Sequence, residues 1–199
     1  MKSTISTTLL MFLFFFIATG IIYPVVCTLI AQSLFPAQAN GSLIVELPGG
    51  DIRGSKLVGQ KFNAMGYFWG RPSSTGESSY NATLSGGSNL SLTNPEFKTR
   101  VSDRIQKLRS SHGGQESKRQ IPIDLVTASA SGLDPHISIA AAEYQMGRVA
   151  EARGMKLDEM KKFLERHKEG PSLGLFGESR INVLRVNLEL DRLFRCDAR

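Results

Sequence analysis

Residues 8–30, TLLMFLFFFIATGIIYPVVCTLI, lie inside a stretch with no charged side chain from Ser3 to Val45. Such a run must leave water. As a helix at about 1.5 Å per residue it spans roughly 34 Å, enough for a hydrocarbon core of about 30 Å. A helix also satisfies its own backbone hydrogen bonds, which lipid demands. The rival is a cleaved signal peptide, for which Ala37-Gln38-Ala39 offers a cleavage-like site. A signal core runs to about 7–15 residues, and this one is longer, so a retained anchor is expected. Pro24 removes a backbone donor within the span and predicts a local break in its regularity. Gly20, Tyr23 and Pro24 fall within about one turn, where small and polar groups favour contact with another helix, so they are candidate partner contacts.

Flanking charge predicts orientation. Lys2 precedes the span, and no Lys or Arg follows it until Arg53. The bias, though small, puts the N-terminus in the cytoplasm and the bulk of the chain outside, which in a bacterium is the periplasm. The expected organisation is an N-terminal end plus transmembrane helix over residues 1–35, then a soluble body over 36–199. Cys27 and Cys196 are too differently placed to read as a pair. The formal charge of +6 is spread among interspersed acids, which describes a solvated surface and gives no nucleic-acid partner.

In the body, residues 42–47 (SLIVEL) and 121–126 (IPIDLV) read as strands. Residues 70–94 are rich in Gly, Ser, Thr and Asn and read as turns. Asn94-Pro95 is a helix cap followed by a first-turn proline. The helix it opens carries Phe97, Val101, Ile105 and Leu108 on one stripe and ends at His112-Gly113-Gly114. Asp134-Pro135 repeats that device ahead of a helix carrying Ile137, Ala141, Tyr144 and Ala150 and stopped by Gly154. Further helices are expected over residues 157–167 and 181–194. The fold class is α/β: one transmembrane helix, then a mixed α/β domain with few strands.

Chemical motifs are near-misses. Ser129 or Ser131, Asp134 and His136 sit too close in sequence for a hydrolytic triad, so no catalytic residue is assigned. His112, His136 and His167 share no metal-ligand spacing with the cysteines, so no metal site is assigned. Residues 49–56 (GGDIRGSK) have P-loop glycine spacing with Ser and Lys in the wrong order. Residues 84–88 (LSGGS) resemble an ABC-ATPase signature, which works only opposite a P-loop.

Five blocks together are specific. GQKFNAMGYFWGRPS (59–73), SGGSNLSLTNP (85–95), VTASASGLDPHIS (126–138), AAEYQMGRVAEARG (141–154) and INVLRVNLELD (181–191) resemble, in order, the C subunit of the Kdp potassium-transporting ATPase, KdpC. The resemblance covers nearly the whole chain. It implies a non-catalytic accessory subunit of a bacterial inner-membrane complex, with a potassium-channel-like subunit and a P-type ATPase subunit as partners. It also implies a catalytic chaperone that raises the ATP affinity of the ATPase subunit. On that reading ATP is the cofactor, and Gln145, Ser131 and Gly132 are the nucleotide-binding candidates. Tyr67, Trp69 and Arg71, in the first block, are further partner-contact candidates. The charge bias points the other way, because a periplasmic body cannot touch cytoplasmic ATP. The alternative function is an anchored periplasmic binding module or enzyme unrelated to potassium.

Overall fold

A computed structural model describes residues 2–46, 49–112, 119–171 and 174–194. Leu47, Pro48, Gly113, Gly114 and Cys196 lie outside the described residues. The chain divides into two compact units, Met1–Arg53 and Gly54–Arg199.

The first unit is dominated by one long helix. Its candidate membrane-spanning part, Ser3–Leu34, has 32 residues. It consists of α1 (Lys2–Ile17), a π-helical segment (Ala18–Ile22) and α2 (Tyr23–Leu34). The π segment is how the helix absorbs Pro24. The Tyr23 N–H reaches five residues back to the Ala18 carbonyl, so the hydrogen-bond register has already changed when the proline arrives. None of the side chains in this segment is buried by the protein itself, as suits a surface meant for lipid or another helix. A short turn, α3 (Pro36–Ala39), leads to a two-stranded sheet of β1 (Leu43–Glu46) and β2 (Asp51–Ser55). Because β2 occupies most of residues 49–56, that run extends as a strand instead of opening a phosphate-cradling helix.

The second unit surrounds a three-stranded antiparallel sheet with helices. The strands are β3 (His136–Ser138), β4 (Lys168–Glu169) and β5 (Arg180–Asn182), in spatial order β3-β5-β4. Ile137 pairs with Ile181, and Ile181 pairs in turn with Lys168. The helices are α4 (Pro95–Ser111), α5 (Ile139–Ala152), α6 (Leu157–Arg166) and α7 (Val183–Leu193). Tyr144 and Val149 from α5, Met160 and Phe163 from α6, and Val186 and Leu190 from α7 are all at most 1% exposed. They meet Ile137, Ile181 and the loop residue Phe68 in one core.

Three local expectations are corrected. Residues 121–126 form no strand; Ile123–Leu125 is a 3-10 turn following Pro122, whose fixed φ starts a turn. Asp134 does not cap α5. Pro135 is followed by β3, and α5 begins at Ile139 with the Ser138 hydroxyl accepting from the Ala141 N–H at 3.0 Å. Asp134 instead closes a local turn, accepting from the His136 N–H at 3.0 Å. The final helix starts at Val183, since Ile181 is spent on β5 and Asn182 supplies the cap, accepting from the Arg185 N–H. Where the cap was read at Asn94, it stands: its side chain accepts from the Glu96 N–H at 2.8 Å.

Candidate functional site

Residues 60–80 contain no regular secondary structure, yet they cross the core of the second unit. Irregular backbone in an apolar core needs hydrogen-bond partners, and two side-chain amides provide them. Asn187 of α7 accepts from the Phe68 N–H and donates to the Phe68 carbonyl, both at 2.9 Å. Gln145 of α5 does the same for Trp69, accepting at 2.8 Å and donating at 3.1 Å. Each amide imitates one rung of a sheet. Both are essentially buried.

Arginines hold the flanks. Arg148 donates to the Met65 carbonyl at 2.5 Å and to Gln145 Oε1 at 2.8 Å, and its guanidinium lies 4.4 Å from the Trp69 ring centroid. Arg153 donates to the carbonyls of Gly66 and Phe194 and to Asp191 Oδ1 at 2.8 Å, beneath the Tyr67 ring. The Tyr67 hydroxyl donates to Asp191 Oδ2 at 3.0 Å, and burial and this carboxylate raise its pKa. These contacts fix Tyr67 and Trp69, with Trp69 only partly covered.

Arg71 is fixed by Asp134 at 3.1 Å. That carboxylate belongs to a chain of polar side chains: Asp134 to His136 at 3.5 Å, His136 to Glu169 at 3.3 Å, and Glu169 to Arg185 at 2.9 Å. Burial alone would raise the Asp134 pKa, but hydrogen bonds from His136 and Arg71 outweigh it and hold the carboxyl below its usual range. Tyr80 donates to the Arg71 carbonyl at 2.6 Å, and burial pushes its phenol up to about 12.

Ser131 and Gly132 lie elsewhere in this loop system. Gly132 has φ +68°, and a Cβ there would come within 2.4 Å of Thr75 and 2.8 Å of the Gly86 carbonyl. Its own carbonyl accepts from Ser73 at 2.7 Å, while the exposed Ser131 accepts from the Gly86 N–H. Gly132, among the small residues of 126–138, leaves room for the chain's own 73–87 loop to approach. Gln145 makes its contacts with Trp69 and Arg148, and none of its recorded hydrogen bonds involves Ser131 or Gly132. Gly20, Tyr23 and Pro24 sit in the other unit, at the π segment.

Sequence reading missed Asn187, Arg148, Arg153 and Tyr80. A signal was available for Asn187 and Gln145, since each is an amide placed among apolar positions of its helix. Polar residues on a buried stripe need a partner, and here the partner is backbone.

The model of the K+-transporting ATPase c chain family matches residues 5–192. The chain belongs to the KdpC family. It is 50% identical over 193 residues to the potassium-transporting ATPase KdpC subunit of Polaromonas naphthalenivorans, covering 97% of this chain and 96% of the relative. The KdpC subunits of Burkholderia mallei and Burkholderia pseudomallei are 48% identical over 191 residues, covering 96% of this chain and 97% of theirs. The KdpC match therefore takes in the span, the Trp69 segment and the helices that hold it.

Proposed function

We propose that this chain is a non-catalytic accessory subunit of a high-affinity, ATP-driven potassium uptake complex. The observation that carries the reading is the KdpC family match over residues 5–192, which takes in the apolar helix and the body together. The helix holds the subunit in the bacterial inner membrane with its N-terminus in the cytoplasm, and the body lies in the periplasm. Its partners are a potassium-channel-like subunit and a P-type ATPase subunit. Its work is to assemble or stabilise them. The network around Trp69 supports this role: buried amides and arginines spend their hydrogen bonds on positioning a partly exposed aromatic and basic surface.

Raising the ATP affinity of the ATPase subunit is the finer form of this reading. A body outside the membrane acts on that subunit through protein contact, and the Gln145 amide is bonded within the chain to Trp69 and Arg148. The test is to add the purified full chain to a complex prepared without it and to follow ATP hydrolysis against ATP concentration. The reading expects restored hydrolysis with a lower half-saturating ATP concentration, and no hydrolysis by the chain alone. Hydrolysis by the chain alone, lost on mutating one of its own residues, contradicts it.

A further inference from the structure

Beside Trp69 the second unit carries a groove of about 230 Å³. Its lining includes Lys61, Arg71, Arg104 and Lys107, together with the rings of Trp69 and Tyr80, and contains no Asp or Glu among the described residues. Four cations facing one small groove repel one another unless something neutralises them. Arg71 has Asp134. The other three have no carboxylate within ion-pair distance among the described residues. Arg104 donates to a neutral acceptor, the Val126 carbonyl at 2.8 Å, and Lys107 lies 5.4 Å from the Trp69 ring centroid. Burial, and then the neighbouring Arg100, lower the Arg104 pKa, as expected of a cation lacking an anionic partner.

We propose that this groove is a docking site for an acidic segment of another subunit of the complex, with one or two Asp or Glu carboxylates seated between Arg104, Lys107 and Lys61 against the Trp69 ring. The inference rests on the accessory-subunit reading above. Charge decides the chemistry of the occupant, and size selects among anions. Sites for drug-sized ligands occupy about 300–1,000 Å³, so a groove of 230 Å³ suits a carboxylate side chain better than a whole nucleotide. Arginine and tryptophan at the centre of such a patch are the residue types that dominate interface energies. Arg104 and Lys107, three apart on α4, present their charges on one side of a helix that Leu108 roots in the core.

Trp69 is the sole tryptophan of the chain, so its fluorescence reports on this groove. The full chain, in neutral detergent, is titrated with a blocked Asp-Glu hexapeptide and, separately, with an Asn-Gln hexapeptide, inorganic phosphate and phosphatidylglycerol vesicles. A saturable change with the acidic peptide, weakened at least about tenfold in the R104Q/K107Q double variant, is the expected result. No saturable change with the acidic peptide, an equal response to the Asn-Gln peptide, or a response confined to phosphate or vesicles overturns the proposal. Retention of the other subunits on the tagged chain provides the second readout. Failure of the wild-type chain to retain them defeats the accessory-subunit reading itself. Retention by wild type and equally by Arg104→Glu/Lys107→Glu defeats only the groove. Should the double variants unfold, Lys61→Gln at the exposed rim replaces them, with about threefold weaker peptide binding expected and unchanged binding contradictory.

Discussion

The Gln145 side chain bonds to both backbone groups of Trp69, accepting from its N–H at 2.8 Å and donating to its carbonyl at 3.1 Å. The pairing makes an irregular segment behave as a strand of the core while leaving the indole at the surface. Gln145→Leu deprives both Trp69 groups of a partner, each at about 1–3 kcal/mol when buried. Denaturant unfolding of the full chain should therefore show a loss of about 2–4 kcal/mol. Unchanged stability together with weakened ATP use by the complex would instead make Gln145 a nucleotide contact.

Asp134 makes stability depend on acid. Its folded pKa lies below the ordinary 3.8, so its contribution is fully present above that value. That contribution is lost as pH falls through the lower folded value, because the unfolded state then takes up the proton first. Wild type should lose stability more steeply than Asp134→Asn below about pH 4. Parallel acid-unfolding curves for the two proteins contradict the Arg71–Asp134–His136 account.

Tyr80 gives the opposite limit. Its folded pKa of about 12 exceeds the ordinary 10.0, so burial of the neutral phenol stabilises the fold fully below pH 10. The contribution disappears as pH rises toward 12, since the unfolded chain ionises first. Tyr80→Phe should be less stable at neutral pH, through loss of the bond to the Arg71 carbonyl, and flatter in its alkaline response. An identical alkaline slope would show that Tyr80 is solvated.

These dependences turn on residues that a linear reading treats unequally. The long apolar helix, the Asn94 cap and the helical stripes were legible because each signal is local: an uncharged run, a capping pair, a three-four spacing. Asp134-Pro135 misled because the same pair can open a helix or close a turn. Its outcome was decided far away in sequence, by Arg71 and by pairing of His136 with Asn182. Ser138, the cap actually used, follows a three-residue strand too short to show alternation. The Trp69 site was visible only as a family block, since Gln145, Arg148 and Asn187 meet it across 76 to 119 residues of sequence.

The span is expected to do more than tether. The π segment at Ala18–Ile22 places Gly20 and Tyr23 beside a change of helical register. Such bulges and small residues favour protein contact within lipid. Replacing residues 8–30 by polyleucine should keep the chain in the membrane and its body folded while reducing co-assembly at least about fivefold. Full assembly with the replaced span would restrict this helix to anchoring, and a mature N-terminus at Asn40 would remove it from the complex altogether.

The most direct test of the central claim is affinity purification of the full tagged chain from bacteria expressing all subunits of the transporter, with ATP hydrolysis measured on the eluate. The account predicts that the channel-like and P-type ATPase subunits elute with it in fixed proportion, and that hydrolysis follows the complex and is absent from the chain expressed alone. Elution of the intact, folded chain without those subunits, under conditions where they assemble with each other, would contradict it.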